Sequence, residues 1–210
     1  MAAFRAAIAQ GFGIECAVRA SRDGVAFVFH DPDLARLTGA EGALADQPST
    51  ALDELRLPDG GVLPRLDALL TLCGGDTPLL VEIKVDGRNV APICAAVARD
   101  LARHRDAPVA VMSFNPVAMR WFATQGPGTP RGLVITRQGK RRWRGWIERG
   151  LALWTARPDF IACDVRDLPS AFSRRTRNRG LPVLSWTVRS AEERARAAQH
   201  ADQIIFEGRP

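Results

Sequence analysis

Short apolar, β-branched runs alternate with amphipathic stretches along almost the whole chain. Strands are predicted near residues 13, 79, 109, 132, 159, 182 and 203, in the runs GIECAV, TPLLVEIKV, PVAVMSF, GLVIT, DFIACDV, LPVLSWTV and QIIF. Residues 2–12, 66–73, 90–104, 115–126, 171–179 and 191–199 carry the apolar spacing of helices, and a short helix is expected at Thr50 to Leu55. Phe4, Ala7, Ile8 and Gly11 share one side of the first helix, which therefore packs on a sheet. Strand-helix alternation of this kind is the signature of a parallel sheet with right-handed crossovers. The strand near residue 25 reads as a local addition, which leaves seven β/α units. A full (β/α)8 barrel takes about 250 residues. The expectation is a TIM-type (β/α)8 barrel lacking its first strand, in one domain over 1–210, with a small insertion at about 31–75. A chain that opens in mid-helix ahead of a buried strand reads as if something precedes it.

Within this pattern the stretch Gly13 to Asp31, GIECAVRASRDGVAFVFHD, holds the first candidate chemistry. Ser-Arg-Asp-Gly is turn chemistry between two apolar runs, so two short strands reverse on it. Glu15 lies inside the first run, where a lone carboxylate is costly to bury without a cation or donor. His30 and Asp31 stand where the second run gives way to a loop. These residues form a site, or Glu15 pairs with one of the many arginines; the pattern allows both. In TPLLVEIKV, Glu82 and Lys84 project from one strand face with Ile83 on the other, either as an ion pair or as part of the same site.

The order of these features resembles the glycerophosphodiester phosphodiesterase family. Glu15 and Val18, the Asp-Gly turn, His30-Asp31, the succession His-Asp-x-x-Leu-x-Arg-x-Thr, Leu-Asp-Glu-Leu and Leu-Pro-x-Leu, Glu82 with Lys84, Trp186-Thr187-Val188 and the final IIFEGRP stand in the family's order from Phe4 to Pro210. The resemblance implies a metal-assisted phosphodiester hydrolase that releases glycerol 3-phosphate and an alcohol. It assigns His30 to proton transfer, Glu15 and Glu82 to a divalent metal, Lys84 to the phosphate and Trp186 to the substrate pocket. Oxygen ligands suit Mg2+ or Ca2+ rather than zinc. The chain departs from the family twice. Ala17 stands where a second acid is usual, and the His-Arg-Gly and Pro-Glu-Asn-Thr segments are absent. Losing one of two proton-transfer groups costs a factor of about 10² to 10⁴. An enzyme impaired at these points and an inactive phosphate-binding or scaffold member both follow from the resemblance.

Composition changes the picture only at the edges. With 210 residues, of which 46% are hydrophobic, the chain supports one sizeable core, and no run approaches the roughly 18 apolar residues of a membrane span. The start lacks the pattern of a secretory leader, so a cytoplasmic protein is expected, and the resemblance implies a place in lipid metabolism. Cys16, Cys73, Cys94 and Cys163 form no CxxC pair, so reduced, buried thiols are expected rather than disulfides or a zinc site. The net charge of +6 fits an anionic partner, or an arginine-rich bias alone. Residues 137–154 mix Lys and Arg with Trp143, Trp146 and Trp154. That stretch is read as a surface helix with its tryptophans toward the sheet, with peripheral membrane contact as the alternative. A basic nucleic-acid-binding protein is the remaining reading, but no nucleic-acid module is recognisable, and Glu15 with Glu82 would repel phosphates without a metal. A small-molecule glycerophosphodiester is therefore the expected partner. His104 and His200 fall at helix ends away from the strand C-termini and are poor substitutes for a second catalytic histidine.

Overall fold

The computed structural model describes residues 1–126, 128–138 and 144–208. The chain forms two compact units, Met1–Val111 and Met112–Pro210. The first contains α1 (Ala2–Ala9), β1 (Ile14–Ala20), β2 (Ala26–Val28), α2 (Ala35–Thr38), α3 (Ser49–Glu54), α4 (Leu66–Cys73), β3 (Leu79–Ile83) and α5 (Ala91–Leu101). β4 (Val109–Ser113) carries the chain into the second, which holds α6 (Pro116–Gln125), β5 (Arg131–Ile135), α7 (Arg144–Ala156), β6 (Phe160–Asp164), α8 (Ala171–Asn178), β7 (Val183–Val188), α9 (Ala191–His200) and β8 (Gln203–Phe206). Each strand expected from the apolar runs forms, within a residue or two of its expected start.

In the first unit the hydrogen-bonded order is β2-β1-β3. β1 and β3 are parallel, with Glu15 beside Leu80 and Ala17 beside Glu82. β2 returns antiparallel, Val18 opposite Val28, which makes the Gly13–Asp31 stretch the expected hairpin. Its turn needs Gly24, whose φ of +77° lies in the left-handed region that side chains resist. Alternation along β1 buries Ile14, Cys16 and Val18 and leaves Glu15, Ala17 and Arg19 half-buried on the other face. The segment after β2 has its own small core of Phe27, Phe29, Leu34, Leu44, Leu52 and Leu63, which fixes the loop that begins at His30. Asp23 ties that core to the hairpin by accepting bonds from Ser21 Oγ, Ser49 N and Ser49 Oγ, each 2.7 Å.

In the second unit the order is β5-β6-β7-β8, all parallel. β6 is buried along its whole length, as a central parallel strand requires. Asn115, Ser170 and Ser190 cap α6, α8 and α9, each accepting a backbone N–H of the first turn. Two expectations change. α1 has no buried residue, so Phe4 and Ile8 are only partly covered rather than sealed on a sheet. Trp154 is 68% exposed and does not face the sheet, because it shares the outward side of α7 with Leu151. Trp143 lies outside the described residues. Among those residues no helix is long and apolar enough to cross a membrane.

Candidate functional site

The first unit gathers the expected polar groups around the C-terminal part of β1 and β3. Glu82, on the same face as Ala17 and Glu15, is buried, and its Oε2 accepts a 3.0 Å ion pair from Lys84 Nζ. Lys84 follows β3 directly and continues the ladder through its N–H to Val18 O, so the strand itself sets the reach of its ammonium. Oε1 of Glu82 is buried and has no hydrogen-bond partner among the described residues. Such an atom carries a desolvation cost that a cation or a donor would relieve.

His30 stands just beyond β2, with its side chain 65% exposed. Phe29 N–H bonds Ala17 O and holds this end of the hairpin against β1. Arg19 Nε donates to His30 O at 3.0 Å, and Arg19 Nη1 reaches Asp86 at 3.1 Å. The imidazole Nδ1 lies 2.9 Å from Asp31 Oδ1, and Arg36 Nε donates to Asp31 Oδ2 at 2.5 Å. The Arg36 bond first, and that of His30 second, holds the Asp31 carboxyl down at about 2.

In the second unit a cluster occupies the C-terminal ends of β4 to β7. Trp186 donates its indole N–H to Ala162 O at 3.0 Å and stacks edge-to-face on Phe114, with centroids 5.4 Å apart at 84°. Beside Trp186 in register lies Asp164, 1% exposed. Burial works to raise the Asp164 carboxyl, but two bonds from the Arg166 guanidinium, the Arg166 N–H and Thr136 Oγ1 outweigh it and hold it below the usual range. A cavity of about 640 Å3 opens at the other end of β7 and β8, among Ser170, Arg174, Arg177, Pro182, His200 and Asp202. None of the expected site residues lines it, so its size does not mark it as the reaction centre. His104 bonds Asp67 and takes no part in either cluster.

Arg19, Arg36, Phe114 and Asp164 were not singled out in the sequence. Asp164 carried the same signal as Glu15, an acid inside an apolar run. Arg36 is the arginine of the His-Asp-x-x-Leu-x-Arg-x-Thr succession, but its role had no signal there, since its partner Asp31 is reached only once that loop folds. The four cysteines are buried thiols; burial first of all raises Cys16 and pushes Cys94 and Cys163 up to about 12, so none is poised as a thiolate nucleophile.

The family model for glycerophosphoryl diester phosphodiesterases matches residues 1–205. The chain belongs to that family. Among solved structures, one from Silicibacter pomeroyi described as a glycerophosphoryl diester phosphodiesterase is 25% identical over 98% of this chain and 84% of its own, with a TM-score of 0.83. A phosphodiesterase of Oleispira antarctica, solved with the product sn-glycerol-3-phosphate, is 22% identical over 98% and 85%, also at 0.83. The glycerophosphodiester phosphodiesterase of Thermotoga maritima is 24% identical over 98% and 86%, at 0.77. No curated protein gives a significant match. The fold is thus the TIM-barrel-like α/β fold of this glycerophosphoryl diester phosphodiesterase family.

Members of the family generally use a divalent metal. The orphaned Glu82 Oε1 and the carboxylate of Glu15 on the same face are hard oxygen donors. Magnesium in particular is often held by only one or two carboxylates while keeping its waters. Among the described residues no group of three His, Cys, Asp or Glu is placed to hold a metal. The register gives the local reason. The position beside Glu82 on β1 is Ala17, which has no ligand atom to offer.

Proposed function

We propose that this protein hydrolyses glycerophosphodiesters to glycerol 3-phosphate and an alcohol, with His30 moving the proton at the leaving oxygen. The observation that carries this reading is the Glu82–Lys84 pair at the end of β3, with a buried carboxylate oxygen left unsatisfied, in a chain of this family. Glu15 and Glu82 would hold Mg2+ or Ca2+, which when bound supplies Lewis-acid stabilisation of charge on the phosphoryl oxygens. Lys84 contributes a fixed ammonium to the same phosphate, a point charge matched to a tetrahedral anion. Trp186 is assigned to substrate binding. His30 presents Nε2 outward because Nδ1 is engaged by Asp31. That geometry suits an imidazole that protonates an alkoxide or accepts a proton from water.

The partner is a small-molecule diester rather than nucleic acid. We also read the barrel as short of its first strand and residues 1–210 as one domain. Peripheral membrane contact through 137–154 draws support from exposed Leu151 and Trp154, 60% and 68% accessible. A second reading, an inactive phosphate-binding member, is favoured by Ala17 beside Glu82. The two separate in one assay with glycerophosphocholine and Mg2+. Turnover that falls on Lys84→Met and on Glu82→Gln supports the hydrolase. Saturable phosphate binding without turnover supports the second reading.

A further inference from the structure

We infer that Arg36 is a positioning residue for His30, acting through Asp31 to hold the imidazole in the Nδ1–H form with Nε2 free to exchange protons. The inference deepens the proposed hydrolase and rests on His30 as its proton-transfer group. Its geometry is a chain of three side chains: Arg36 Nε to Asp31 Oδ2, 2.5 Å, then Asp31 Oδ1 to His30 Nδ1, 2.9 Å.

The direction of the second bond follows from chemistry. With its carboxyl held at about 2, foremost by the Arg36 bond, Asp31 is an anion at neutral pH. An ionised carboxylate only accepts, so the proton of this bond belongs to Nδ1 whether His30 is neutral or charged. A carboxylate one residue away on a loop could rotate to solvent. Arg36 prevents this by occupying the second oxygen from α2, which the small core around Leu34, Leu44 and Leu52 packs in place. Arg19 fixes the same histidine from its other side by holding the His30 carbonyl, so side chain and main chain are restrained independently. The logic is that of a base oriented by a carboxylate, with the carboxylate itself oriented by a third group.

Charged groups on the neighbouring elements are Glu15 and Arg19 on β1, Glu82, Lys84 and Asp86 on β3 and its loop, and Arg36 on α2. The Arg36 and Asp31 variants leave the others in place.

The test is the nitrogen-15 spectrum of the imidazole in the full-length protein, with His30 assigned by His30→Ala. The spectrum reports which ring nitrogen carries the proton and does not depend on turnover. The wild type is expected to show Nδ1–H and unprotonated Nε2 in the neutral ring. Asp31→Asn and Arg36→Ala are expected to admit the Nε2–H form, while Arg36→Lys keeps most of the wild-type pattern. Should Arg36→Ala unfold the loop, Asp31→Asn and Arg36→Lys carry the test alone. A neutral His30 with Nε2–H in the wild type overturns the inference, as does a wild-type pattern in Asp31→Asn. If the protein turns over glycerophosphocholine, Arg36→Ala is further expected to lower kcat by about 10-fold or more with a smaller change in KM. Absence of turnover counts against the proposed function and leaves the tautomer result standing.

Discussion

The contrast between Glu82 and Asp164 shows how one residue's surroundings decide its use. Both are acids buried at strand ends, but Asp164 is saturated by Arg166 and Thr136, whereas Glu82 keeps one oxygen unsatisfied and one on Lys84. Saturation makes Asp164 a structural anion; the spare oxygen leaves Glu82 an acceptor that the proposed metal would use. Replacing Lys84 by Met removes the ammonium paired with Glu82 and should destabilise the fold by about 1 to 3 kcal/mol, read as a shift of the denaturation midpoint. Glu82→Gln is expected to be milder in stability and to weaken Mg2+ binding in calorimetry. Ala17→Asp, the converse change, adds a third carboxylate beside Glu82 and should tighten Mg2+ binding in the same titration, at some cost in stability without the ion.

Elements place these groups, and most of the elements were legible. The hairpin at Gly13–Asp31 followed from alternation and a Ser-Arg-Asp-Gly turn, and α4 formed over Leu66–Cys73 as its apolar spacing predicts. Glu82 and Lys84 were read onto one strand face from a period of two, whereas Glu15 joins that face only through the register of β1 on β3, which the sequence did not display. What the sequence did not display depends on contacts between separated segments: Arg36 on Asp31, Arg19 on the His30 carbonyl, Phe114 on Trp186. Trp154 was misread because an exposed and a buried tryptophan look alike in a helix of mixed polarity. Two substitutions test the packing. Asp23→Ala removes two bonds that join the β1–β2 turn to Ser49 of α3 and a third, to Ser21, within the turn, and should lower the midpoint of chemical denaturation. Gly132→Ala places a Cβ 2.1 Å from the Phe160 ring across β5 and β6, so overpacking should cost about 1 to 3 kcal/mol in the same measurement.

At the scale of the molecule, four carboxyls among the described residues are held low and shape the response to acid. Asp23, Asp31, Asp164 and Asp202 all sit below their ordinary values, so their contribution is fully present above the unfolded value near 4. It is lost as pH falls from there, for Asp31 through about 2. Asp100 acts in the opposite sense: burial raises it, so its contribution is present below the unfolded value and is lost as pH rises through the raised one. The lowered groups outnumber it, and thermal melts should show the midpoint falling between pH 4 and pH 2, about the window of these carboxyls. A flat profile across that window contradicts the assignment of Asp31 and its companions as native-state anions.

The most direct measurement is the release of glycerol 3-phosphate from glycerophosphocholine by the purified protein with Mg2+ or Ca2+, beside His30→Ala. Release that needs the metal and falls by about 10² to 10⁴ in the variant is the expected result. No release from the folded wild type, under conditions where a glycerophosphodiester phosphodiesterase with both histidines and all three acids is active, would contradict it.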